Sequence, residues 1–215
     1  MSSSVLALVR PASPLAAPLF DGPRLSFARD ETLFAEGARA EFVYRLVSGV
    51  VRRGKVLRDG RRQIDGFHLP GDYLGLELGD HYRLTAEALT AVTVARIRRD
   101  ALHGLAEQDA PTARALLDLT IGELGRCQDH VLLLGRRAAT ERVAVLLLDF
   151  AQRSGAESLV DVPVSRQDMA DYLGLTIETV SRTLTSLQTE GLIEFFGSRR
   201  FCVRGASRLA RMVVC

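Results

Sequence analysis

Short runs of β-branched and aromatic residues, broken at close intervals by turn residues, occupy the chain from 25 to 99. The runs at 42–47, 50–56, 63–69 and 91–97 have the length and the Val, Ile, Tyr and Phe content of strands. Between them, Ser48-Gly49, Asp59-Gly60 and Pro70-Gly71-Asp72 supply turns. Several short strands at that spacing predict a small all-β barrel or roll over 21–105, behind a separate N-terminal arm over 1–20.

From Ala101 the period changes. Pro111 suits the first turn of a helix, and no further proline interrupts 112–134. There Leu117, Ile121, Leu124, Gln128 and Val131 recur at alternating spacings of four and three residues, an a/d seam with one polar break. The seam predicts a helix over 106–135 that pairs with a second copy of itself. Leu116, Leu132 and Leu134 lie off the seam, placed to cover the roll. A helix lying only on its own roll is the plainer alternative. Gly135 ends the pattern before Arg136-Arg137, which predicts a hinge.

The remainder, 136–215, is organised around helix caps. A strongly apolar stretch over 141–152 predicts a helix, and 159–162 a short strand. Ser165 with Asp168 three residues on makes a capping-box pattern, so a helix starts at Arg166. Met169, Ala170 and Leu173 give it a buried side, and Gly174 ends it. Thr176 caps the next helix, whose Ile177, Val180, Leu184 and Leu187 form one apolar face before Gly191 stops it. A short helix, a three-residue turn with Gly and a second helix predict a helix-turn-helix. Its second helix turns Glu178, Thr179, Ser181, Arg182 and Thr185 away from the core. Arg pairs bidentately with guanine and Glu accepts from cytosine N4, so Glu178 and Arg182 fit a G·C pair and its neighbour in the major groove. An ordinary i,i+4 ion pair on a solvated face is the alternative for the same two residues. Beyond Gly191, 192–196 and 201–203 flank Gly197-Ser198-Arg199-Arg200 and predict a β-hairpin wing with arginines at its tip.

Composition narrows the classes. The 215 residues are 47% hydrophobic and 25% charged, a globular balance for one large domain or two small ones. A net charge of +2 requires any nucleic-acid surface to be a local patch, and 182–215 supplies one with six arginines against Glu190 and Glu194. No apolar run reaches the ~18 residues of a membrane span. The segment 1–18 has no basic n-region and is broken by Arg10-Pro11, so no signal peptide and no membrane partner are expected. Cys127, Cys202 and Cys215 form no CxxC pair and predict a reducing cytoplasm without disulfides. Cys202 would respond to oxidation if it were exposed. Without a Gly-rich phosphate loop, HExxH or GxSxG, the chain is not expected to be an enzyme.

On these residues the chain resembles the Crp/Fnr superfamily of bacterial regulators over nearly its whole length. The stretch 166–187, with its Glu178-Thr179-Val180-Ser181-Arg182 core, is similar to that family's DNA-reading helix, and Ser48-Gly49, Asp59-Gly60 and Pro70-Gly71-Asp72-Tyr73-Leu74-Gly75 to its roll. Leu134-Gly135-Arg136-Arg137 and Glu141-Arg142-Val143-Ala144 resemble its hinge and first DNA-domain helix. Gly75-Leu76-Glu77, 84–88 and 171–182 are most similar to the FixK branch. The resemblance implies an α+β fold: a cyclic-nucleotide-binding-like β-roll (jelly roll), a long dimerisation helix and a C-terminal winged helix-turn-helix. It also implies a cytoplasmic homodimer on double-stranded DNA that recruits RNA polymerase as an activator of low-oxygen, respiration-type genes. A repressor would use the same residues. Glu178, Ser181 and Arg182 would read a palindrome of TTGA-type half-sites, while Thr176, Thr179, Arg199 and Arg200 would hold its backbone.

Members of the family that bind cAMP carry Gly-Glu followed later by Arg-Ser/Thr-Ala, the Glu for the ribose hydroxyl and the Arg for the phosphate. Glu77, Arg83 and Thr85 are the residues such a pocket would use. Here Leu76 displaces the Glu, and Leu84 separates Arg83 from Thr85-Ala86. A cyclic-nucleotide-gated regulator is therefore the alternative, and a surface Arg83 over a roll filled by its own side chains is the expectation. No cysteine precedes Cys127, which argues against an iron–sulfur cluster with four thiolates. His68, His81, His103 and His130 read as surface or packing residues rather than haem ligands, so no cofactor is expected.

Overall fold

A computed structural model describes residues 20, 22–136, 138–154, 159–161, 163–197 and 200–213. The expected arm over 1–20 therefore lies outside the described residues except for Phe20, as do Arg199 and Cys215.

Alternating burial shapes the roll. Its strands are β1 (Arg24–Phe27), β2 (Thr32–Phe34), β3 (Phe42–Ser48), β4 (Val51–Val56), β5 (Arg62–His68), β6 (Tyr73–Leu74), β7 (Thr85–Ala88) and β8 (Val92–Arg98). They form two four-stranded sheets of order β1-β8-β3-β6 and β2-β7-β4-β5, antiparallel throughout. Both sheets send side chains into one core that includes Leu46, Val51, Leu74, Ala86, Val92 and Val94. Each of the leucine and valine side chains among them stabilises the fold by roughly 1.5–3 kcal/mol on burial. The four predicted runs correspond to β3, β4, β5 and β8. The unpredicted strands have two to four residues each, too few to display a period. Gly75 is required where it stands: its φ is +82°, and a Cβ there would lie 2.6 Å from the Phe42 carbonyl oxygen.

Helix α1 (Arg99–Gln108) straddles the expected 105/106 boundary, and α2 (Ala110–Gly135) is a single helix of 26 residues. The Thr112 N–H donates to Asp109 Oδ2 at 2.8 Å, closing the first turn of α2. Ala115, Leu116 and Leu119 pack on a second cluster made of Phe20, Val43, Tyr73, Ala95 and Leu102. Of the other two leucines expected to cover the roll, Leu132 is exposed and Leu134 lies beside Gly174. The described residues form two compact units, one ending at Cys127 and the other starting at Gln128, inside α2. The last turns of the long helix thus belong to the C-terminal unit.

That unit consists of the end of α2, α3 (Ala139–Arg153), β9 (Val160–Asp161), α4 (Arg166–Leu173), α5 (Ile177–Thr189), β10 (Ile193–Phe196), β11 (Arg200–Val203) and α6 (Ala206–Val213). Its sheet has the order β10-β11-β9. Leu146, Leu147 and Phe150 of α3, Val180, Leu184 and Leu187 of α5, and Leu209 of α6 are all buried. Helix α6, which the sequence analysis does not separate from the wing, has eight residues and one fully buried leucine, Leu209. Among the described residues no helix is long and apolar enough to cross a membrane.

Candidate nucleic-acid interface

Local chemistry sets both helices of the helix-turn-helix. At the start of α4 the Asp168 N–H donates to Ser165 Oγ at 3.0 Å, and the Ser165 N–H donates back to Asp168 Oδ2 at 3.3 Å. This reciprocal capping box satisfies two donors that the helix end would otherwise leave unpaired. Helix α4 ends at Gly174, whose φ of +62° falls in the left-handed region that favours glycine. Thr176 Oγ1 then accepts from the Thr179 N–H at 3.2 Å and starts α5. Val180, Thr183, Leu184 and Leu187 face inward. Ile177, expected on that face, is instead 38% exposed, and Thr183 takes an inward place further along the helix.

Packed this way, α5 leaves Glu178, Arg182 and Thr185 exposed, with Thr179 and Ser181 half-buried. Among the described residues no ion pair closes between Glu178 and Arg182. The Glu178 carboxyl is held below its usual range first by its own backbone N–H, then by the Thr176 hydroxyl, with the Arg182 charge a smaller contribution. Among the described residues the Arg182 guanidinium makes no hydrogen bond, so both ends of the would-be ion pair can reach other partners. Arg166, expected only to mark a helix start, donates from Nη1 to Ser181 Oγ at 3.4 Å. It adds a cation beside the first turns of α5. Its position one residue after the cap was the available signal.

In the wing, Arg200 opens β11 opposite Phe196 and Asp161, with its side chain exposed. The tip residues Ser198 and Arg199 lie outside the described residues. Arg204 pairs with Glu194 at 2.7 Å and Arg208 with Glu190 at 3.4 Å. The arginine excess is therefore narrower than composition suggests: Arg182 and Arg200 of that stretch are exposed, and Arg166 adds a cation beside α5. Cys202 is buried in β11, without the exposure that an oxidation response requires.

Along α2, the seam residues Leu117, Ile121, Leu124 and Val131 are 54%, 57%, 58% and 69% exposed, and Gln128 is exposed too. In the roll, Glu77 and Thr85 of the nucleotide pattern are half-buried. The Glu77 carboxylate accepts from the Arg83 backbone N–H at 3.4 Å, and the Arg83 side chain is exposed. Thr85 Oγ1 accepts from the Glu36 N–H at 2.9 Å. The interior is occupied by Phe34, stacked on Tyr82 with ring centroids 4.0 Å apart, and by Tyr44.

Residues 141–212 match the Crp-like helix-turn-helix domain, and residues 24–109 match the cyclic nucleotide-binding domain. The chain is 48% identical over 208 residues to the nitrogen fixation regulation protein FixK of Azorhizobium caulinodans, covering 94% of this chain and 83% of that one. It is 40% identical over 185 residues to the FixK protein of Rhizobium meliloti, covering 85% and 84%. Among solved structures, FixK2 from Bradyrhizobium japonicum superposes with a TM-score of 0.85 at 46% identity, covering 88% of this chain and 96% of that one.

Proposed function

Since this chain belongs to the Crp/Fnr family of DNA-binding transcription regulators, activator in type, we propose that it reads an inverted repeat of TTGA-type half-sites as a cytoplasmic homodimer. The observation that carries this reading is the exposed, unclosed pair of Glu178 and Arg182 at the start of a capped α5. Arg182 takes the guanine of each half-site, Glu178 the neighbouring pair, and Ser181 completes the base contacts. Thr176, Thr179, Arg199 and Arg200 hold phosphates on either side. The exposed row Leu117, Ile121, Leu124, Gln128 and Val131 is the dimer seam, since a contiguous apolar stripe on a solvated helix calls for a partner.

The DNA-bound dimer recruits RNA polymerase and acts by binding alone, without catalysis. The FixK relatives, named for nitrogen fixation regulation, support low-oxygen, respiration-type target genes. A roll filled by Phe34, Tyr44 and Tyr82 supports activity without cAMP or another cofactor.

The test is selection of bound sequences from random duplex DNA with purified, ligand-free protein. Enrichment of an inverted TTGA-type repeat, with half-sites about one helical turn apart, is expected. No enrichment, or enrichment only after cAMP is added, overturns the reading.

A further inference from the structure

We propose that His130 and Arg142 are positioning residues for operator reading: they clamp the helix-turn-helix to the end of the dimerisation helix and so fix the distance and angle between the two recognition helices of a dimer. The inference rests on the dimeric DNA-binding reading above.

The clamp is built on carbonyls at the C-terminal end of α4, where a helix has no intrahelical donors to offer. His130, on α2, lays its ring on that of Tyr172 with centroids 4.1 Å apart and planes within 4°. Its Nε2 stands 2.8 Å from the Tyr172 carbonyl oxygen. A carbonyl only accepts, so Nε2 carries the hydrogen and donates it. Arg142, on α3, donates from Nη1 to the Leu173 carbonyl at 3.0 Å and reaches the Gly174 carbonyl at 3.5 Å. The same guanidinium donates from Nε at 2.8 Å and Nη2 at 2.6 Å to the Arg136 carbonyl, the first residue after α2. A Cβ on Gly174 would meet Leu134, also of α2, at 3.4 Å. One planar fork thus ties the end of the long helix to the turn that aims α5.

His130 sits between the seam positions Gln128 and Val131, all within the C-terminal unit. The residues that meet the partner copy and the residue that grips α4 therefore share the same stretch of helix. Whatever separation the seam imposes passes to the turn before α5 without an intervening loop. Adding one base pair between half-sites moves them ~3.4 Å apart and rotates them by roughly 35°, a mismatch that a rigid clamp should reject.

The experiment measures binding of full-length protein to four duplexes: two inverted TTGA half-sites at the selected spacing, the same with one base pair added or removed, and random sequence. For the wild type, a one-base-pair change is expected to cost at least ~10-fold in affinity. In His130→Ala combined with Arg142→Met the cost should fall to ~3-fold or less, with preference for the half-site guanine retained. His130→Phe keeps the ring stack and removes the hydrogen bond, and should lie between; with Arg142→Met alone it decides the matter if the double variant does not fold. Variants that lose affinity but keep wild-type discrimination between spacings, or that behave as wild type throughout, overturn the clamp. A wild type that does not prefer the inverted repeat to random DNA overturns the dimeric reading instead.

Discussion

Arg53 on β4 and Glu123 on α2 stand 2.6 Å apart across 70 residues of sequence, and Asp65 holds the same guanidinium at 2.7 Å. Arg126 pairs with the other side of Glu123. Burial alone would lower the Arg53 pKa and raise that of Glu123. The neighbouring charges prevail: Asp65 first, and then Glu123, raise Arg53, while Arg53 above all lowers Glu123 to about 2. Removing one partner of such a pair leaves a charge poorly compensated in a dry setting. Glu123→Ala, which strands Arg53 with Asp65 alone, should lower stability by roughly 1–3 kcal/mol, read from the urea midpoint. Glu123→Gln, which keeps a hydrogen-bond acceptor, should cost less. Equal midpoints for Glu123→Ala and wild type would remove this network from the account of stability.

Beside that network His68 is buried, with Nε2 lacking a hydrogen-bond partner among the described residues and Nδ1 3.9 Å from Asp72. Burial, and then the Arg53 charge, push its pKa from 6.5 down to about 4, against the opposing pull of Asp72, Glu123 and Asp65. The unfolded chain therefore binds this proton more readily than the folded one. The stability that neutral His68 represents is complete above about pH 6.5 and lost as pH falls from there towards about 4. That of Glu123 is complete above about pH 4.5 and lost between there and about 2. Acid weakening in two stages is expected, and His68→Gln should abolish the first. The urea midpoints of this variant at pH 7 and pH 5 should nearly coincide; a wild-type difference between them counts against the assignment.

Ile121 is 57% exposed on α2, at the second of the five proposed seam positions. Ile121→Glu brings two carboxylates together where the paired helices meet, at a cost that neither can offset. Sedimentation should report a monomer, and operator affinity should fall because half-sites about 34 Å apart need both heads. An intact dimer in the centrifuge would defeat the seam.

Arg182 and Arg200 separate base readout from general charge. Arg182→Ala should cost ~1–3 kcal/mol per half-site and relax preference at the guanine. Arg200→Ala should weaken all sequences alike and lower the salt slope by about one for each phosphate it no longer neutralises. Glu178→Ala should admit substitutions at the neighbouring base pair. If Arg182→Ala weakens specific and random DNA equally, α5 is not the recognition helix.

The helix-turn-helix was legible almost to the residue because its signals are local. Ser165, Asp168, Gly174 and Thr176 each act on backbone within four positions, a range that sequence displays directly. Partnerships across distance leave no such mark. His130 with Tyr172, Arg142 with Leu173 and Arg53 with Glu123 join residues 42, 31 and 70 positions apart. The face of α2 towards the roll was legible at Leu116 but not beyond it, for a related reason. After Leu119 its packing continues through Glu123, and a search for apolar periodicity passes over charged residues.

The filled roll makes a further point testable. Phe34, Tyr44 and Tyr82 occupy the interior and Thr85 is engaged by the Glu36 N–H. A ligand shifts an equilibrium only by its differential affinity, so cAMP should leave operator binding unchanged. A tenfold gain on adding cAMP, worth ~1.4 kcal/mol, would restore a ligand-gated mechanism.

The boundary between the two units inside α2 bears on how such a protein can be recombined. A hybrid joined after Gly135, where the helix ends, would take its reading head without His130, Leu133 and Leu134, and so without the grip on Tyr172 and Gly174. A hybrid joined between Cys127 and Gln128 cuts through continuous helix, yet carries the head with its own mounting. Helical backbone bonds depend little on which side chains precede them. The portable piece of this regulator therefore starts in mid-helix, where the head keeps His130, Leu133 and Leu134.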